Sequence, residues 1–152
     1  MSSSAPIQRI LIPIDFSATS RDAAAFGFKL ARQLGAEAVC TTVIDVLDLP
    51  PSFRAVAIEC QTDEELMTKL RAWMAGEFAA ITAGAGLDVK FDERRGVPED
   101  EILNAIRELG PDFVVMGSNG ITRQFAIGSR AHAILKESSV PVLIVRPHAS
   151  EA

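Results

Sequence analysis

The sequence predicts a doubly wound α/β fold, with five parallel strands in the order 3-2-1-4-5 and helices on both faces. Three observations carry that expectation. Short β-branched and aliphatic runs recur along the chain, amphipathic segments of helical period separate them, and glycines fall where several of those segments stop. Strands alternating with helices imply parallel pairing, because right-handed crossovers return each strand to the same sheet with its helix packed on a face.

Residues 9–14, R-I-L-I-P-I, form a near-continuous apolar run ending at Asp15, as expected of a strand buried on both faces. Ser17 or Thr19 then offers an N-cap. From Ser20 to Leu34 the apolar positions Ala24, Phe28, Ala31 and Leu34 recur at spacings of three and four, and Gly35 supplies the stop. A second strand spans 38–46. A long amphipathic helix over 63–81 places Leu66, Leu70, Trp73 and Phe78 on its apolar side, with Met67 and Trp73 read as core.

A third strand, 87–93, alternates as though one face were more exposed. Pro98 and an acidic first turn open a helix over 98–109 that Gly110 closes. The fourth strand covers 112–117, a helix follows over 128–137, and V-P-V-L-I-V-R-P (140–147) is the fifth strand. The longest irregular insertion, 47–61, carries Pro50-Pro51, which forbids regular helix at that point; it reads as a flap beside a site.

At 152 residues the chain most simply forms one domain, long enough to bury about 70% of its unfolded surface. A formal net charge of -5 and scattered lysines and arginines argue against a nucleic-acid coat. No apolar run approaches the ~20 residues of a membrane span, so a cytoplasmic protein without membrane partners is expected. Cys40 and Cys60 are too few and too far apart for a zinc site or a redox pair.

The chemistry concentrates between Val114 and Ala131, V-V-M-G-S-N-G-I-T-R-Q-F-A-I-G-S-R-A. In open α/β sheets ligands settle at the carboxyl ends of the strands where strand order reverses, and Asp15 and Gly117 end the two neighbouring strands there. Glycines let backbone amides approach an anion, and Gly128-Ser129 at a helix start adds donors, a hydroxyl and the helix dipole. Arg123 and Arg130 flank the loop as possible phosphate partners. The pattern is neither a Walker A loop nor G-x-G-x-x-G. Taken alone, the glycines serve tight turns and close packing equally well.

I-L-I-P-I-D-F-S near the start, V-I-D ending the second strand, G-V-P-E-D-E-I at the third helix and M-G-S-N-G…G-S…V-P-V-L-I-V-R-P at the end resemble the universal stress protein family over about residues 7–147. The resemblance implies an Asp after the first strand that reaches adenosine and a valine that meets adenine through its backbone. Those positions match Asp15 and Val43. The family's phosphate loop, G-x2-G-x9-G-[S/T], implies phosphate-holding roles for Gly117, Gly120, Gly128 and Ser129, with Met116 preceding them.

The loop departs from that pattern: seven residues, I-T-R-Q-F-A-I, separate Gly120 from Gly128 where the family has nine. Two fewer residues remove up to ~7 Å of extended reach, comparable with a diphosphate. Asn119 also stands where the family commonly carries His. The ligand the resemblance implies is ATP or a smaller adenine nucleotide, with Mg2+, in a stress-response or signalling protein that forms a homodimer through the last strand (about 140–146) and acts on a further, unidentified protein partner. The alternative is a dimeric interaction module of the same fold that has lost nucleotide.

No enzyme is expected. Ser118 or Ser129 with His132 makes no G-x-S-x-G elbow, and His132 and His148 read as surface residues. The acidic runs Asp63-Glu64-Glu65 and Glu99-Asp100-Glu101 read as first-turn charges that offset helix dipoles, so neither a catalytic nor a metal site is assigned. Asp15 itself keeps a second reading as the cap of the following helix.

Overall fold

The computed structural model describes residues 5–118 and 128–146. Along the chain run β1 (Arg9–Pro13), α1 (Ala18–Leu34), β2 (Glu37–Ile44), α2 (Pro51–Ile58), α3 (Asp63–Thr82), β3 (Val89–Arg95), α4 (Pro98–Leu109), β4 (Phe113–Gly117), α5 (Ser129–Glu137) and β5 (Val142–Val145). All pairings are parallel, and the strand order is β3-β2-β1-β4-β5, as the sequence predicts.

The two central strands are the most apolar runs because both their faces are covered. Ile10, Ile12 and Val115 turn toward α1 and α3, where they meet Ala24, Phe28, Leu70 and Met74. Leu11, Val114 and Met116 turn toward α4 and α5, against Ile102, Ile106 and Ile134. Each large side chain removed from water here stabilises the fold by about 1.5–3 kcal/mol.

Helix α1 starts at Ser17, whose hydroxyl accepts the Ser20 amide, and stops at Gly35 in the left-handed region (φ 66). Its buried face holds Ala23, Ala24, Gly27, Phe28 and Ala31, while Leu34, expected on that face, is 44% exposed at the last turn. In α3 the Thr62 hydroxyl caps the helix by accepting the Glu65 amide, the Glu65 carboxylate accepts the Gln61 amide, and Asp63, Glu64 and Glu65 occupy the first turn. Met67, Leu70 and Met74 form its buried face, with Trp73 half-buried beside them. Cys40 is buried, which pushes its thiol up to about 12.

The segment 47–61 requires a correction: it is not irregular throughout but contains α2, with Pro51 at the first helical position. Proline lacks only an amide that has no intrahelical partner there, and its fixed φ suits the first turn. Phe53, fully buried, anchors this short helix against Trp73 at 5.7 Å between ring centroids. Strand limits also shift: β3 runs two residues later than expected, and β5 is shorter, four residues at the sheet edge.

The start of β1 is tied down by Asp112, whose carboxylate accepts the amides of Gln8 (2.7 Å) and Arg9 (2.9 Å). These bonds hold its carboxyl below the usual aspartate range. A depressed native pKa contributes stability above the ordinary aspartate range, and the contribution disappears as pH falls through the lowered native value. Asp112→Asn is therefore expected to unfold at lower denaturant concentration than the parent at neutral pH. The difference should close in strong acid, as denaturation curves across pH would show.

Candidate functional site

Where the strands end, the sheet is stepped. Pairing of β1 with β2 stops at Pro13–Thr41, closed by the Ile14 amide on the Thr41 carbonyl, whereas β2 continues against β3 to Ile44–Arg95. Backbone groups of a parallel strand turn alternately to its two neighbours, so Val43 faces the β1 side, as Thr41 does, beyond the end of β1. Its N–H and C=O have no β1 partner among the described residues.

That step is the floor of a cleft of about 610 Å³. Its polar lining includes Asp15, Ser17, Gly128, Ser129 and Arg130, and its apolar lining Phe16, Leu49, Leu70 and Met74. Val43 and Ile44 lie among the lining residues, as do Asp48 to Ser52 of the flap. Met116 and Gly117 line an adjoining pocket of about 50 Å³ that shares Asp15, Val43, Pro98 and Arg130 with the cleft.

Asp15 reaches the cleft through an unusual turn. Phe16 has φ 65, the left-handed region that a bulky residue adopts at a cost of about 1–3 kcal/mol. Edge-on packing of its ring against Trp73 (5.4 Å, 74°) and burial to 6% exposure offset that cost. The turn reverses the chain between β1 and α1, and one Asp15 oxygen, Oδ1, accepts the Ser17 amide at 2.9 Å. The other carboxylate oxygen has no hydrogen-bond partner among the described residues. Asp15 thus shapes the entry to α1, but the N-cap itself is Ser17.

Gly117 has a packing role that the sequence does not separate from a ligand role. A Cβ there would lie 2.9 Å from the Thr19 carbonyl oxygen and 3.1 Å from its carbon, both backbone atoms of the first turn of α1. The end of β4 and the start of α1 can approach this closely only with glycine between them.

Gly120, with Asn119 and Arg123, lies outside the described residues, as does His148. The two flanks of that loop are joined by the Gly128 amide, which donates to the Ser118 carbonyl at 2.9 Å. Gly128 is the N-cap of α5, where no side chain caps the first turn. The first hydrogen bond of the helix is from the His132 amide to the Gly128 carbonyl (2.9 Å). The amides of Ser129, Arg130 and Ala131 therefore open toward the cleft end of the helix, together with its positive dipole end. Ser129 and His132 are both exposed, and no histidine among the described residues lines the cleft.

Two features have no local sequence signal. Arg130 donates to Asp48 (3.0 Å), from a segment 82 residues earlier in the chain, and pairs with Glu99 at 3.3 Å. Arg54 holds the other oxygen of Asp48 at 3.1 Å. The second feature is the left-handed turn at Phe16. Among the described residues no group of three or more His, Cys, Asp or Glu side chains is placed to hold a metal ion. No helix there is long and apolar enough to cross a membrane.

A five-stranded parallel sheet with a cleft at the carboxyl ends of β1 and β2, beside the start of α5, defines a doubly wound α/β architecture. Residues 6–146 match the universal stress protein family, and the chain belongs to that family. A similar relative is universal stress protein MJ0531 of Methanocaldococcus jannaschii, 29% identical over 147 residues covering 91% of this chain and 82% of that protein. The solved structure of MJ0577, from the same organism, superposes with a TM-score of 0.74 at 25% identity, covering 95% of this chain and 99% of that one. Two further structures share the fold. One is a universal stress protein in complex with cAMP (TM-score 0.67, 19% identity, 93% and 98% covered). The other is an Arabidopsis thaliana family protein with AMP bound (TM-score 0.63, 16% identity, 95% and 94% covered).

Proposed function

We propose that this protein binds an adenine nucleotide in the 610 Å³ cleft, and that the nucleotide is of monophosphate size rather than a full triphosphate. The observation that carries the reading is the meeting of Asp15, the stepped edge at Val43 and the start of α5 in one cleft. Its volume falls within the ~300–1,000 Å³ typical of small-molecule sites. The unpaired N–H and C=O of Val43 match the donor and acceptor edge of an adenine ring. The apolar lining of the cleft accommodates the ring faces, Asp15 offers its second carboxylate oxygen to ribose hydroxyls, and Ser129 with the amides of the first α5 turn receives phosphate.

Charge supports the smaller ligand. Asp15, Asp45 and Asp48 line the cleft against Arg54 and Arg130, and both arginines are already paired with Asp48. A triphosphate would add several negative charges to this balance, a monophosphate or cyclic phosphate one or two. The relatives solved with cAMP and AMP agree with that size. A divalent cation, where one accompanies the nucleotide, would take its ligands from phosphate and water, since Asp48 is committed to arginine. The reading is of a binding and signalling protein, not a catalyst.

Calorimetric titration of nucleotide-stripped protein tests it. AMP or cAMP is expected to bind more tightly than ATP. Equal or tighter ATP binding would contradict the size assignment, and no heat with any adenine ligand would contradict the function.

A second reading, a dimeric interaction module without nucleotide, is favoured by the Gly128 amide being already spent on Ser118. In either case β5 is proposed as the dimer edge. Among the described residues it pairs on one side only and leaves Leu143 37% exposed, so a second copy can continue the sheet region there.

A further inference from the structure

The cleft contains an ion-pair clasp that no glycine motif describes. Arg130 stands at the second position of α5, next to Ser129, and its guanidinium joins the flap to α4. Nη2 holds Asp48 of the flap at 3.0 Å, and Nε holds Glu99 at the first turn of α4 at 3.3 Å. The flap end of the clasp is itself ordered by Arg54, which donates to the Asp48 carboxylate (3.1 Å) and to the Leu49 carbonyl (3.0 Å).

The two carboxylates are not equally held. Glu99 sits on a helix at 33% side-chain exposure, whereas Asp48 sits on the flap at 51%. Exposed pairs of the latter kind contribute little, while a guanidinium takes a phosphate through paired, charge-assisted hydrogen bonds. The Arg130 guanidinium belongs to the second residue of α5, so a phosphoryl group received at the start of that helix would compete with Asp48 for it.

We propose that Arg130 is the residue that reads phosphate charge in this cleft and that Asp48 is its built-in competitor. A bound phosphoryl group takes the guanidinium from Asp48 and unfastens the 48–58 segment from α5. The phosphate-free nucleoside, adenosine, fills the base and ribose positions and leaves the clasp closed. This inference rests on the nucleotide reading above. It adds a specificity residue to that reading and a structural consequence of ligand charge.

The test compares AMP with adenosine as paired probes in the parent protein, Asp48→Asn and Arg130→Gln. The readout is the ratio of the two affinities, which a general loosening of the fold would not move. Asp48→Asn is expected to raise the AMP preference about threefold to tenfold by freeing the guanidinium, and Arg130→Gln to lower it about tenfold. Hydrogen exchange of residues 51–58 in the parent is expected to quicken with AMP and not with adenosine; in Arg130→Gln the two ligands should give equal exchange. An AMP-to-adenosine ratio that is the same in all three proteins would overturn the inference and leave the nucleotide reading standing. Failure of both probes to bind the parent would overturn the reading and this inference with it.

Discussion

Gly117→Val is expected to destabilise the protein by about 3 kcal/mol, the upper end of overpacking costs, because the opposing atoms are backbone rather than a side-chain tip. The first added carbon alone would sit 2.9 Å from the Thr19 carbonyl oxygen, and Ser20 N lies 3.4 Å away. Relief requires β4 to separate from the start of α1, which carries the Ser17 cap and the Asp15 turn. Thermal melting should fall by roughly 6–12 °C for a chain of this size. Nucleotide affinity should fall with it, since Asp15 depends on the same junction. A melting temperature within a degree or two of the parent would show that the junction has slack the structure does not display.

Asp15→Ala is expected to act in the reverse proportion, with a large effect on binding and a small one on stability. The lost hydrogen bond to the Ser17 amide costs about 1 kcal/mol. A carboxylate that accepts ribose hydroxyls contributes about 1.5–3 kcal/mol as a charged acceptor, so AMP affinity should fall roughly tenfold to a hundredfold. Asp15→Asn separates the two roles, because its amide oxygen can still accept the Ser17 amide while the charge is gone. Calorimetry on both variants, with melting curves beside it, checks the separation. Unchanged AMP affinity in Asp15→Ala would confine this residue to shaping the turn.

How far such features are visible in the sequence depends on how local their causes are. The central strands were legible because Ile10–Ile12 and Val114–Met116 are buried on both faces, which leaves no polar position to confuse the pattern. Gly35 and Gly110 were legible as helix stops because each takes the left-handed conformation that glycine adopts without strain. The first turns of α3 and α4 carry their acidic runs for a reason contained within one turn of helix.

Other features depend on contacts that no local window holds. Pro50-Pro51 looked like a helix breaker, yet Pro51 begins α2, since what decides is its place in the helix and the anchoring of Phe53 on Trp73. Phe16 gives no sign of a left-handed turn; the conformation persists because Trp73, 57 positions away in the sequence, receives the ring. Leu34 fits the helical period but is the last residue of α1, where it stays 44% exposed. The Asp48–Arg130 pair joins segments 82 residues apart, and composition contains no trace of it. Asp15 and Val43, the positions that match the family motif, line one cleft, and the stepped end of β1 supplies a physical reason why the backbone of Val43 is available.

The central claim is that an adenine nucleotide lies across the ends of β1 and β2 with its phosphate at the start of α5. The most direct measurement is a titration of isotopically labelled, nucleotide-stripped protein with AMP, following backbone amide chemical shifts residue by residue. Saturable shifts of one affinity are expected at three separate places in the chain: Asp15–Thr19, Val43–Asp48 and Gly128–Arg130. Saturable shifts confined to other surfaces, or none at millimolar AMP, would contradict it.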